Sequence, residues 1–479
     1  MKYIKKIPSL VLVIIYFILT NIPCPNIWGQ DLYSVSSLPF NTRDHNEFSA
    51  VPYKEGLVFC SDRLHNIFIA KLDSLGIPLL DLYYARKKEK EKWSTPELLG
   101  KELSGNFHKG PMTFGKKGTV IYFTRNDAET AGIFSATFNG STWEKATPFI
   151  YNEPNTRVAH PCLSADGKYL FFVSDKHGGY GGFDIYVCTL NHNQWGRPKN
   201  LGPEINTSND ELYPFYNSSS GKLYFASKRP NGLGGLDIYY SKEINGKWIP
   251  PVFLPSPINT SKNDFAFYSD STDRHGYFSS DRNSHSGLTD IFEFSMDFPA
   301  LNNSLCGPQK KFSYKYRFNE ASSVNTDSTT YRYEWDFGDG TKHRGKELEI
   351  EHDFPGPGDY LIQLNVIDTL TNQIYLNQAA NLFPVRKTEQ PFITCKDTAS
   401  VGEYILFDAG ETYLPQIKNL KFYWDFTDGI LDVGKEIKHK FLEPGTYTIL
   451  LGVTGLDAKR QSVTFCRSRI IIIKGASAQ

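Results

Sequence analysis

The sequence predicts an all-β chain, and three observations carry that expectation. A repeat of close to 52 residues runs through the first 300 positions, Trp-Asp-Phe signatures recur 89 residues apart beyond them, and the composition favours strands and turns. Aromatic residues make up 14% of the chain, with 38 Gly and 27 Pro but only 3 Met, which suits short strands and tight turns better than long helices. At roughly 100 to 200 residues per domain, 479 residues imply several domains.

The first element is an address. Lys2, Lys5 and Lys6 precede an apolar run over residues 10–19, and Gly29 ends a signal-peptidase site, so residues 1–29 are read as a signal peptide. Its removal takes three of the 52 basic residues and no acid, leaving 49 against 52. That balance gives no field for nucleic acid, and no other run nears the roughly 20 apolar residues of a bilayer span. Cys24 lacks the small preceding residue of a lipobox, because Asn21-Ile22-Pro23 stands there. The expected location is exported: periplasm, outer-membrane associated, or the cell surface.

The repeat occupies residues 30–300. Leu57-Val58-Phe59-Cys60-Ser61-Asp62 returns as Ile121-Tyr122-Phe123-Thr124, Leu170-Phe171-Phe172-Val173-Ser174-Asp175, Leu223-Tyr224-Phe225-Ala226-Ser227 and Gly276-Tyr277-Phe278-Ser279-Ser280-Asp281. A second column starts at Asp81, Gly132, Asp184, Asp237 and Asp290, and a third holds Trp93, Trp143, Trp195 and Trp248. A four-stranded unit of this period cannot bury both faces alone, whereas stacking units around an axis does so, which predicts a β-propeller. Five blades are expected, with a sixth, degenerate one as the alternative. Leu38-Pro39-Phe40-Asn41-Thr42 matches the Ile205-Asn206-Thr207 region, so the N-terminal strand is expected to complete the last blade. Extra sequence including residues 66–70 predicts an elongated hairpin in the first copy.

These columns resemble the WD40-like repeats of TolB-type propellers, most closely at Ser164-Ala165-Asp166-Gly167-Lys168 and Gly181-Gly182-Phe183-Asp184-Ile185-Tyr186. The resemblance covers residues 35–298.

Two tandem domains follow, 301–386 and 387–475. Tyr333-Glu334-Trp335-Asp336-Phe337-Gly338-Asp339-Gly340 in the first answers to Phe422-Tyr423-Trp424-Asp425-Phe426-Thr427-Asp428-Gly429 in the second. Trp335 and Phe337 should alternate inward, Gly338-Asp339-Gly340 should supply a positive-φ turn, and Tyr360 should lock a sandwich corner. The motif resembles the PKD domain, an immunoglobulin-like β-sandwich, with Thr427 departing from the usual Gly. Trp335, Asp336, Trp424 and Asp425 are read as structural.

Six cysteines remain after Cys24, too sparse for a disulfide scaffold. If the first and last strands of the second sandwich are neighbours, Cys395 reaches Cys466.

Asp184, Asp237 and Asp290 suggest either a ring of carboxylates for a cation or, as favoured here, repeated anchors for backbone amides. Asp336, Asp339, Asp425 and Asp428 lack the dense oxygen ligands of a calcium loop and are read as turn formers. No HExxH, GxSxG, zinc-spaced Cys/His set or nucleotide loop occurs, so no enzyme activity, metal or cofactor is expected. Gly-rich tips over residues 176–182 and 229–235, beside residues 283–287, recur at one blade corner, which makes Tyr180, Arg229, Leu233 and His285 candidates for partner contact.

The expectation is an exported binding scaffold of the cell envelope whose partners are envelope proteins, either outer-membrane or secretion-complex components. Similar propeller-plus-PKD chains imply links to OmpA-like peptidoglycan anchors and to type IX secretion and gliding. The sequence ends a few residues past its last predicted strand, so anchoring through a partner is expected. The alternative from another class is a carbohydrate-binding or adhesive surface protein taking glycans.

Overall fold

The computed structural model describes residues 32–64, 72–73, 76–88, 92–126, 131–230, 232–244, 246–284, 287–302, 304–320 and 330–475. The signal segment and the extra hairpin at residues 66–70 lie outside them.

Five antiparallel sheets form among the described residues, one per repeat. Their inner strands are Glu47–Tyr53, His108–Phe114, Val158–Leu163, Glu211–Asn217 and Asp264–Ser269. The second strands are Gly56–Ser61, Val120–Asn126, Tyr169–Ser174, Lys222–Ser227 and His275–Ser280, and the third are Asp81–Arg86, Ala131–Thr137, Asp184–Asn191, Asp237–Ile244 and Asp290–Met296. Second strands read as unbroken apolar runs because neighbouring blades cover both faces. Leu170, Phe171, Phe172 and Val173 are all buried, and so are Leu223 to Ala226. The fifth sheet takes its outer strand from the chain start: Tyr33–Ser37 pairs antiparallel with Asp290–Met296, from Tyr33 opposite Met296 to Ser37 opposite Phe292. The expected closure by the N-terminal strand is therefore present.

Side chains finish what short outer strands leave unpaired. The Asn206 amide accepts from the Ile185 N–H at 2.8 Å and donates to the Ile185 carbonyl at 3.0 Å, an extra rung of ladder made by one residue. Asn41, Asn152 and Asn259 do the same for Ile291, Ile133 and Ile238.

The two sandwiches follow. The first sets the sheet of Lys342–Gly345, Tyr331–Asp336, Gly358–Asp368 and Ile374–Val385 against the pair Lys315–Asn319 and Glu349–Asp353. Trp335 and Phe337 are both buried, and the Tyr360 hydroxyl donates to the Gly356 carbonyl at 3.0 Å, the corner lock that the sequence predicts. Tyr447 repeats that bond to Glu443.

The expected Cys395–Cys466 bridge does not form. Cys466 is bonded to Cys306, with Cα atoms 4.7 Å apart, and Cys395 is a free thiol. The strand beside Ser462–Lys474 explains this. Residues 307–309 run along it, Ser468 N–H donating to the Gly307 carbonyl and Gln309 N–H to the Ser468 carbonyl, each at 3.0 Å. Thr398–Ser400 pairs in parallel only further along, at Ile472–Lys474. The position opposite Cys466 thus belongs to the segment leaving the propeller.

Candidate functional site: the propeller axis and the docked second sandwich

Every inner strand carries a β-bulge, between Phe48/Val51, Lys109/Met112, Ala159/Cys162, Leu212/Phe215 and Phe265/Tyr268. An extra residue at each bulge re-aims the backbone near the axis. Ser49, His160, Tyr213 and Ala266 sit there at φ of 50–56°, whereas Gly110 in the remaining copy is not in the left-handed region. Beyond these bulges the strands enclose an axial cavity of 310 Å³, to which all five blades contribute. It lies toward the turns that join first to second strands, because Ala165, Ser218, Ser219 and Ser271 line it. Among the described residues, no Asp, Glu, Lys or Arg lines it.

At its inner end the His160 and Tyr213 rings stack at 4.1 Å, and Phe265 packs against Tyr213 at 4.9 Å. The Tyr213 N–H donates to His160 Nδ1 at 3.2 Å, which fixes the neutral tautomer with hydrogen on Nε2. Burial drives the His160 pKa down to about 3 and lifts the Tyr213 phenol, so neither carries charge near neutrality.

The Gly-rich tips occupy the other face. Asp184 accepts from the Tyr180 N–H at 2.7 Å and the Gly181 N–H at 3.2 Å, and Asp237 accepts from Leu233 and Gly234 in the same way. These carboxylates anchor their own loops rather than converging on a cation. Asp290 opens the equivalent strand of the last blade, and burial raises its pKa. Each tip reaches the next blade. A Cβ on Gly181 would collide with the Thr207 carbonyl, and one on Gly234 with the Lys262 carbonyl. Tyr180 is half exposed. Arg229 is drawn inward: its guanidinium meets the fully buried Glu211 at 3.3 Å, bonds the Ile205 carbonyl and stacks over Phe225 and Tyr239. Arg63 with Glu47 and Arg282 with Asp264 repeat that pair. His285 lies outside the described residues.

Sequence reasoning missed the junction between propeller and second sandwich. Tyr423, Leu431 and Val433 join Tyr224, Tyr240, Leu254 and Phe298 in one apolar cluster, with Phe298 edge-on to Tyr423 at 5.5 Å. The Tyr240 hydroxyl donates to the Gly429 carbonyl at 3.3 Å. Beside this contact a cleft of 540 Å³ runs from Leu32 and Tyr33 to Ile430 and Ile437. Asp425, named for its motif, is half-buried with its pKa raised by desolvation, beside Lys222. A readable signal existed. Where the first sandwich has Thr341-Lys342-His343-Arg344 after its turn, the second has Ile430-Leu431-Asp432-Val433.

Residues 308–373 and 388–466 match the family model of the PKD domain. Among solved structures, the chain is similar to an α-L-arabinofuranosidase from Podospora anserina at 10% identity and TM-score 0.37, covering 56% of this chain and 98% of that one. It is also similar to the nidogen/laminin complex, at 10% identity, TM-score 0.30 and coverage of 63% and 89%. Against a prolyl endopeptidase the values are 9%, 0.29, 86% and 53%, so the chain spans about half of that structure. Similarity this low carries no functional argument, and the architecture rests on the strand order above.

Proposed function

We propose that the chain is a non-catalytic binding scaffold of the cell envelope, an accessory to a secretion, gliding or outer-membrane complex, exported by the segment at residues 1–29. PKD domains are typical of extracellular proteins and point to an adhesive or binding module. No helix among the described residues is long and apolar enough to cross a membrane. The observation that carries the reading is the clamp: a disulfide, a shared apolar cluster and a turn contact hold the second sandwich on the ring. Domains that merely follow one another tend to move independently across small polar contacts. Here the propeller and second sandwich present their free surfaces in fixed relation, as a platform for protein partners requires. The Gly-rich face, with Tyr180 and Leu233, is the proposed partner surface.

Fractionation followed by affinity capture from envelope extracts tests this. Recovery of outer-membrane or secretion components, reduced by Tyr180→Ala with Leu233→Asp, is the expected result. Glycan-array binding with no protein partner would reverse the ranking in favour of a carbohydrate-binding surface protein.

A further inference from the structure

We propose that the axial cavity is a binding site for a neutral sugar, separate from the protein-docking surface. The composition of its wall is the argument. Placing a charged group in a low-dielectric cavity without a counter-charge is strongly unfavourable, and among the described residues no charged side chain lines this one. Acidic and basic ligands are thereby disfavoured. A purely apolar ligand fits poorly as well, because two adjacent blades place the exposed serines Ser218, Ser219 and Ser271 at the mouth. Tyr213 and His160 both line the cavity, and the imidazole is bonded to the protein through Nδ1, which leaves the hydrogen on Nε2. The rest of the wall is largely apolar, with Phe114, Phe215 and Tyr268 beside Val51, Met112 and Leu163. Apolar walls with a few placed hydroxyl and imidazole groups suit a ligand with C–H faces and several hydroxyls, which is the chemistry of a sugar ring. A volume of 310 Å³ lies at the small end of ligand sites, so one or two rings are the size accommodated.

Two structural facts add to this. The bulge recurs in every blade, and in four of them it holds a non-glycine residue near the axis (Ser49, His160, Tyr213 and Ala266) at a left-handed φ that is costly outside glycine; such cost is retained where it shapes a site. His160 stays uncharged because it is buried and because its Nδ1 is already occupied, so its role is that of a neutral donor at ordinary pH.

The test is a saturation-transfer NMR titration of the full-length protein with glucose, galactose, N-acetylglucosamine and their neutral disaccharides. Glucuronate and glucosamine serve as charged counterparts of the same ring. At least one neutral sugar should saturate with a Kd of about 1 mM or tighter, and its charged counterpart should bind at least about tenfold more weakly. Ala165 is exposed on a turn at the mouth, so Ala165→Trp should block entry and weaken binding about tenfold or more while leaving the thermal melt unchanged. Tyr213→Phe should weaken it about two- to tenfold. The proposal is overturned if no neutral sugar saturates, if glucuronate binds as well as glucose, or if Ala165→Trp leaves binding intact. Because Ala165 lies on the face opposite the Gly-rich tips, protein capture by Ala165→Trp should be unaffected, so failure of the sugar site and failure of the scaffold reading give different results.

Discussion

Thr427 stands at φ 57° in the turn where the first sandwich has Gly338 at 73°. A left-handed conformation costs an ordinary residue about 1–2 kcal/mol, part of which glycine returns as unfolded-state entropy. Thr427→Gly should therefore raise stability by about 0.5–1 kcal/mol in denaturant unfolding. Gly338→Ala should cost more, about 2 kcal/mol, because its Cβ would also sit 2.7 Å from the Leu361 carbonyl. A second residue-scale test concerns Arg229. Removing it strands the fully buried Glu211 carboxylate, so Arg229→Ala should cost about 3–5 kcal/mol, whereas Tyr180→Ala should stay within about 0.5. Burial raises the folded pKa of Glu211 above its unfolded value, so its unfavourable contribution grows as pH rises through the interval between the two. The Arg229→Ala deficit should accordingly shrink when unfolding is measured at pH 4 instead of pH 7. Spacing placed Arg229 on a Gly-rich tip, but spacing does not register the acid 18 residues earlier that pulls it inward. The anchoring aspartates were legible, because a carboxylate opening the same strand in each repeat has backbone amides within reach.

At the scale of elements, the period, the ring closure and the two sandwiches were all readable, since each depends on local alternation and turn chemistry. The disulfide was not. Cys306 and Cys395 are equivalent positions in two copies, and the choice between them rests on which segment lies beside Ser462–Lys474, a long-range fact. Loss of Cys306–Cys466 releases a loop of 160 residues, which the chain-entropy estimate values at up to about 5 kcal/mol. Cys306→Ser should lower the melting temperature sharply, while Cys395→Ser, at a free thiol, should change it little. The Gly-rich tips act as latches between blades. Gly181→Ala should cost about 1–3 kcal/mol by pressing on the Thr207 carbonyl, and it should raise hydrogen exchange in the strand that follows, Glu211–Asn217.

For the whole molecule, sequence order and spatial order differ. The chain leaves the propeller along the second sandwich, makes the first, and returns: Phe312 stacks on Phe392 at 4.6 Å, and the Gln309 side-chain amide donates to the Ile393 carbonyl at 3.1 Å and accepts from the Ile393 N–H at 2.7 Å. The apolar Ile430-Leu431 pair is the sequence trace of that docking. Replacing both with lysine should undock the second sandwich without unfolding it, read as faster proteolysis around residues 299–302. The most direct measurement of the central claim, a ring with the second sandwich fixed upon it, is lysine cross-linking of the purified full chain resolved by mass spectrometry. Lys222 and Lys438 line the two sides of one cleft and should be linked in high yield. Propeller links that run instead to Lys342 or Lys346 of the first sandwich, with none to Lys438, would contradict it.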